Sequence, residues 1–196
     1  MTLVERLRAS LERADAPARV RGDWDFDLGT DRREAFTPAA VLVPIVRHDE
    51  PTVLLTRRTD TLRSHAGQVA FPGGRIDPGE DAITAALREA MEEVALPPDQ
   101  VEVIGRADDY ETGSGYRITP VVGLIPPDLP LVPAENEVAD VFEVPLAHLL
   151  DPRNHRLEVA QWQGRDRRYW EIDWATHRIW GVTAGMIVNL SRRVTP

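Results

Sequence analysis

Neither cysteine nor lysine occurs anywhere in the 196 residues. Without cysteine there is no disulfide framework, no thiolate-ligated zinc site and no thiol nucleophile. A chain without thiols fits a reducing compartment. Without lysine, all 23 basic residues are arginine, so any charged contact to a phosphate must come from arginine or histidine. No stretch of about 18 consecutive apolar residues is present, so no membrane span is expected. The stretch Met1–Ala14 alternates Arg and Glu with Leu and Val, which is not the uninterrupted apolar core of a signal peptide. A soluble, cytoplasmic protein is the expectation. Positive charge is also scarce overall, with 32 acidic residues giving a net charge of −9. That balance argues against a nucleic-acid partner, which usually meets a basic surface. A polyanionic small molecule would need divalent metal and a local arginine cluster to overcome the repulsion.

Apolar residues make up 42% of the chain, enough for a sizeable core. The length suits one domain over residues 1–196. Residues 1–37 read as a helix and an irregular extension, and residues 38–196 as the core. Leu3, Val4, Leu7 and Leu11 recur at helical spacing, and Pro17 ends that helix. Trp24 and Phe26 are candidate anchors in the polar stretch that follows. Ala39–Val46 and Thr52–Thr56 read as a strand pair around His48-Asp49-Glu50-Pro51. Arg57–Ala66 reads as a polar loop and Gln68–Phe71 as a short strand.

Asp81–Val94 is the clearest helix, with Ile83, Leu87, Ala90 and Val94 as its apolar stripe. Pro97-Pro98 stops it. Val101–Ile104, Ile118–Ile125 and Val138–Val144 read as further strands. Leu157–Trp162 and Arg168–Ile172 read as a hairpin, and Gly181–Leu190 as a closing helix. A mixed sheet between helices follows from this order.

Chemistry concentrates around the clearest helix. At about 100° per residue, Glu89 and Glu93 fall one above the other, Glu92 lies beside them, and the apolar stripe points elsewhere. Glu80 stands in the loop at the helix entrance. Like charges at i and i+4 cost a helix about 0.2–0.5 kcal/mol per pair. A hard divalent cation converts that cost into binding, and Mg²⁺ suits a few carboxylates plus substrate phosphate. Arg88 is positioned to tie back Glu80, or another carboxylate, and fix the loop against the helix. A pair of glutamates alone is usually a solvated acidic face. Six positions in register with a glycine, an arginine and four glutamates are a far more specific signal.

The stretch resembles the Nudix box: Gly, five residues, Glu, seven residues, Arg-Glu, an aliphatic, any residue, Glu-Glu, any residue, Gly, an aliphatic. Gly74, Glu80, Arg88, Glu89, Glu92, Glu93 and Leu96 match within residues 74–96. Ala90 is a small occupant of the first aliphatic slot. Ala95 replaces the second glycine, which ends the helix in a left-handed conformation costly for alanine; Pro97-Pro98 is expected to end it instead. The resemblance implies an α/β fold, a Nudix-type α/β/α sandwich around a mixed β-sheet. It also implies hydrolysis of a nucleoside diphosphate derivative with Mg²⁺ or Mn²⁺. On it, Glu89, Glu92 and Glu93 are the metal ligands, Glu92 and Glu93 are also catalytic candidates, and Gly74, Glu80 and Arg88 are structural. The family uses a glutamate from a loop like that before Val138 as an extra ligand or general base. Glu137 is that candidate, and Glu135 the alternate.

Upstream, the run Leu54 to Gly74 puts Arg57, Arg58, Arg63 and His65 near the box. Arginine forks match phosphate oxygens bidentately, and salt bridges to nearby acids are the plain alternative. The run resembles the coenzyme A pyrophosphatase branch of the family in its Leu-Leu-Thr-x-Arg, Leu-Arg-x-His-x-Gly and Phe-Pro-Gly-Gly pieces. That branch is implied to cut CoA and its derivatives into 3′,5′-ADP and 4′-phosphopantetheine or its acyl form. The 3′-phosphate is then what Arg57, Arg58, Arg63 or His65 reads. Another nucleoside diphosphate derivative, a nucleoside triphosphate, or a ligand-sensing module on the same fold stand as alternatives. His155 and His177 read as ordinary surface or hairpin residues. Trp162, Tyr169, Trp170, Trp174 and Trp180 suit core packing or a homodimer surface better than an adenine platform.

Overall fold

The computed structural model describes residues 1–13, 22–23, 35–60, 66–162 and 165–194. Trp24, Phe26, Pro17, Arg63 and His65 lie outside the described residues. The chain begins with helix α1 (Leu3–Leu11), opened by a reciprocal capping box between Thr2 and Glu5. It ends at Leu11, where the apolar spacing runs out.

Strand β1 (Thr37–Val46) is the centre of the main sheet, and eight of its ten residues are buried. It runs parallel to β7 (Tyr116–Ile125) along its whole length, from Thr37↔Tyr116 to Val46↔Ile125. On its other side β1 takes two partners in turn: β4 (Gly73–Arg75) at residues 39–41 and β2 (Thr52–Arg58) at Ile45 and Val46. Pro44, which has no N–H for a ladder, sits where the partner changes. The expected pairing of the first two strands is thus real but brief. The main partner of β2 is β8 (Val138–Pro145), antiparallel from Thr52↔Pro145 to Arg58↔Val138. Strand β3 (Val69–Ala70) covers the end of β2 at Thr56 and Arg57. Strands β5 (Glu102–Arg106) and β6 (Tyr110–Glu111) pair with β7.

One face of this sheet carries helix α2 (Ala82–Val94), packed through Ala85, Ala86, Ala90 and Val94 onto Ala40, Leu42, Leu54, Val121 and Ile125. The alanines let the helix approach closely, so Ile83 and Leu87 of the expected stripe sit only partly buried at its flank. The other face carries α1, the short helix α3 (Leu146–Leu150), helix α4 (Val182–Val194) and a second sheet. That sheet has the order β11 (His177–Trp180), β10 (Arg165–Trp174), β9 (Arg156–Trp162). Leu7, Ile172, Ile179, Ile187 and Leu190 join Val43, Leu55 and Val122 in the core there. The architecture is α/β, a mixed sheet between helical layers, as the element order implied. No helix among the described residues is long and apolar enough to cross a membrane.

A carboxylate cluster at the end of the second helix

Helix α2 begins at Asp81, whose side chain accepts the Thr84 amide at 2.8 Å. It ends at Ala95, which adopts φ 55° and ψ 35°. This corrects the expectation that Pro97-Pro98 would end the helix. The Ala95 amide donates to the Met91 carbonyl and the Leu96 amide to the Ala90 carbonyl. Leu96 is fully buried, and seating it drives the turn through a conformation that costs alanine about 1–2 kcal/mol.

The three-residue strand β4, which its Gly-Gly sequence did not announce, positions the box loop. Its pairing sets Gly74 opposite Ala40. A β-carbon on Gly74 would stand 2.3 Å from Glu89 Oε1. Any side chain at position 74 would push the Glu89 carboxylate away from the place over the backbone that glycine leaves open to it. Arg88 ties the loop to the helix. It donates to both Glu80 oxygens at 2.9 and 3.1 Å, to the Arg75 carbonyl at 3.0 Å, and to Glu89 and Glu92 at 2.9 and 3.3 Å. The Arg88 hydrogen bond holds the Glu80 carboxyl below the usual range, and the Asp77 amide adds to this.

The three box carboxylates differ in environment. Glu92 is open to solvent, Glu89 is 18% exposed and Glu93 only 7%. Burial pushes Glu93 up to about 7, against the opposing pull of Arg58, and the charges of Glu89 and Glu137 push the same way. Burial also raises Glu89, with Glu92 and Glu137 adding to the effect and Arg88 opposing it. The one cation paired with Glu93 among the described residues is Arg58, at 3.9 Å. Arg58 itself has a buried Nε without a hydrogen-bond partner.

Glu137 reaches this cluster from outside the helix. The segment before it docks on the end of α2, where the Ala134 amide donates to the Glu93 carbonyl and the Val132 amide to the Val94 carbonyl. Glu137 is half-buried, whereas Glu135 is exposed.

Arg57 and Arg58 belong to β2, not to the expected loop, because β8 and β3 supply partners on both sides. Successive strand residues face opposite ways. Arg58 therefore faces Glu93, while Arg57 lines a cavity with Val69, His177 and Trp180. The arginine cluster read from the sequence is split by the sheet. His177, read as a surface or hairpin residue, lies in the β10–β11 hairpin, where it is half-buried and stacks on Phe142 with ring centres 3.6 Å apart. His155 is also half-buried and hydrogen-bonds the Leu149 carbonyl. Nothing in the sequence pattern signalled β11, which brings Arg178 and Trp180 to that cavity.

The box glutamates suit a divalent cation on their own chemistry. All are hard oxygen donors, one is buried and short of positive charge, and a missing β-carbon makes room for a second. Among the described residues no three such groups converge in a metal shell; Arg88 bonds both Glu89 and Glu92. Glu92, the most exposed of the three, is held among the described residues only by its contact with Arg88 at 3.3 Å.

Comparison with known proteins bears on this cluster. The chain is 52% identical over 159 residues to "Uncharacterized Nudix hydrolase NudL" of Cronobacter sakazakii, covering 80% of this chain and 82% of that one. The protein of the same name from Escherichia coli K12 is 51% identical over 158 residues, with the same coverage. Among solved structures, a Nudix hydrolase from M. smegmatis, RenU, aligns at a TM-score of 0.51 with 26% identity, over 62% of this chain and 78% of that one. Nudix hydrolases generally need divalent metal cations. The NUDIX domain profile matches residues 36–178, a span that takes in every box glutamate and Glu137, and the chain belongs to the Nudix hydrolase family.

Proposed function

We propose that this protein hydrolyses the diphosphate bond of coenzyme A and its thioesters or disulfides, giving 3′,5′-ADP and 4′-phosphopantetheine or its acyl form. The observation that carries the hydrolase chemistry is Glu93, a buried carboxylate beside Glu89 and Glu137 with one arginine 3.9 Å away. The likeness of Leu54–Arg58, Leu62–Gly67 and Phe71–Gly74 to the coenzyme A pyrophosphatase branch supports the substrate. We read the chain as one catalytic unit acting in the cytoplasm.

In this reading Glu89, Glu92 and Glu93 hold Mg²⁺ or Mn²⁺. The bound cation neutralises phosphoryl oxygens and lowers the pKa of water. Glu80 and Arg88 hold the loop of Gly74 against the helix, so the carboxylates keep their spacing. Arg58 faces the same space and neutralises a phosphoryl oxygen. Glu137, carried on a separate segment, takes the proton of the attacking water from outside the helix face. That geometry suits a base, which must act where the nucleophile stands rather than where the leaving group departs.

The test is a product screen over CoA, acetyl-CoA, oxidised CoA, ADP-ribose, NADH and nucleoside triphosphates with Mg²⁺ and Mn²⁺. Release of 3′,5′-ADP from CoA at the highest kcat/KM is expected. A higher kcat/KM for ADP-ribose, NADH or a nucleoside triphosphate would replace CoA as substrate. No turnover of any of them would favour a sensing module.

A further inference from the structure

The sheet face away from α2 carries a cavity of about 510 Å³ between the end of β2 and strand β11. Its walls are Arg57, Val69, Asp140, His177, Arg178 and Trp180. These residues come from four strands of both sheets, and the box contributes none of them. Thr183, at the start of α4, bonds the Val69 carbonyl at 3.0 Å and ties that wall to the C-terminal helix.

The cavity is rich in hydrogen-bond donors and poor in acceptors. Arg57 has a single ion pair among the described residues, to Asp60 at 3.6 Å, and Asp60 is 80% exposed. Such a contact holds a guanidinium weakly. Arg178 is held in place from behind: its Nε and one Nη bind Glu171 and the second also meets the Tyr169 hydroxyl. Its guanidinium lies over the Trp180 ring at 5.2 Å. Its other terminal nitrogen, Nη1, engages no partner among the described residues. His177 Nδ1 is buried without a hydrogen-bond partner, while Nε2 meets Asp140 at 3.4 Å. Asp140 meets the imidazole through Oδ2 alone and is, among the described residues, the one carboxylate in the cavity wall.

A phosphomonoester answers this arrangement because it brings acceptor oxygens and no obligatory donor. Two arginine forks, one preset by packing and one loosely held, are the usual means of binding one. The cavity also lies one residue from the catalytic face: Arg57 precedes Arg58, and Asp140 follows Glu137 by three positions. We propose that this cavity binds a phosphomonoester carried by the nucleotide substrate, with Arg57 and Arg178 as its counter-charges. The proposal rests on the CoA reading, where the 3′-phosphate is that group, and assigns its recognition partly to the C-terminal sheet.

The test is calorimetric binding of 3′,5′-ADP and of 5′-AMP to wild type, Arg57→Gln and Arg178→Gln with chelator present, alongside hydrolysis of CoA and 3′-dephospho-CoA. In wild type, 3′,5′-ADP is expected to bind more tightly than 5′-AMP. Each variant should weaken 3′,5′-ADP roughly tenfold and change 5′-AMP less than twofold. Arg57→Gln is the safer variant for folding, since its side chain is half-exposed and loosely paired; a thermal melt checks Arg178→Gln. Equal losses for both nucleotides, no loss, or no binding of 3′,5′-ADP at millimolar concentration would each overturn the proposal. The two readings fail separately. If wild type cuts CoA and Arg57→Gln keeps the full preference over 3′-dephospho-CoA, the cavity assignment falls and the substrate stands. If CoA is left intact while Arg57→Gln selectively loses 3′,5′-ADP, the substrate falls and the cavity stands.

Discussion

Among the described residues four buried acids meet arginine, Glu93, Asp108, Glu111 and Glu171, and two of them show opposite treatment. Asp108 and Arg193 form a closed pair, with two parallel bonds of 2.6 and 2.7 Å and both side chains under a tenth exposed. Arg193 also donates to the carbonyls of Ser10 and Arg13, so it joins the C-terminal helix to the N-terminal one. Glu93 is as buried, yet its arginine stands 3.9 Å away with an unpartnered nitrogen. The first pair is satisfied and holds the fold. The second leaves the buried carboxylate poorly compensated, as the proposed role of Glu93 in holding a cation would require.

Breaking the satisfied pair should have the largest effect. Arg193→Met leaves Asp108 buried beside an apolar side chain and should cost about 3–5 kcal/mol, read from urea denaturation. Turnover per folded molecule should survive at low temperature; a loss of kcat without a loss of stability would erase the contrast.

Breaking the unsatisfied pair should do the reverse. Glu93→Gln should lower kcat/KM by roughly a hundredfold or more at saturating Mg²⁺, as loss of a ligand charge does, without unfolding the protein. Near-wild-type turnover would remove Glu93 from the metal site. Glu137→Gln sharpens the same point from outside the helix. As general base it should lower kcat by roughly a hundredfold, abolish the acidic limb of the pH–rate profile and leave the Mg²⁺ requirement unchanged. A mutant that keeps the limb but needs more metal would make Glu137 a ligand instead.

The metal-free protein offers a test by pH. The folded-state value for Glu93, about 7, lies above its ordinary 4.5. Its contribution to stability is therefore fully present below pH 4.5 and is lost as pH rises through 7. With chelator, stability should fall by on the order of 2–3 kcal/mol across that window. Glu93→Gln should flatten the fall and melt higher than wild type at pH 8. An equal slope in both proteins would show that burial does not penalise this charge.

The smallest effect belongs to Ala95, near both the box and the docked segment. Ala95→Gly relieves a left-handed residue and should stabilise by about 1 kcal/mol, seen as a rise of a few degrees in Tm with unchanged kcat/KM. Destabilisation would mean that the turn does not strain alanine.

The helix and its carboxylates were legible because both signals are local. The spacing of Glu89, Glu92 and Glu93 sets their face whatever surrounds the helix. Arg88 and Glu80 are joined through one short loop. What the sequence could not carry was the identity of strand partners. Nothing in Ala39–Val46 says that it pairs in parallel with a strand some eighty positions later, or that two glycines at 73 and 74 complete its other edge. The arginines were misread for the same reason. Arg57 and Arg58 are adjacent in sequence, and only the register of β2 against β8 and β3 sends them to opposite faces. The end of α2 at Val94 was read correctly but assigned to Pro97-Pro98, because the seat for Leu96 is a tertiary contact that overrides the preference of alanine. The two remaining cationic candidates, Arg63 and His65, fall outside the described residues.

The docking of the segment before Glu137 has a consequence for mutational tolerance. Its two anchors to α2 are main-chain amides, at Val132 and Ala134, reaching the carbonyls of Val94 and Glu93. No side chain takes part in either bond. Positions 132 and 134 can therefore change their side chains without losing either bond, with proline there the one replacement that deletes an anchor outright, while Leu129 and Leu131, which pack on the apolar cluster of α2, keep a side-chain requirement. A position set by the backbone is insulated from drift in a way that one set by an ion pair is not.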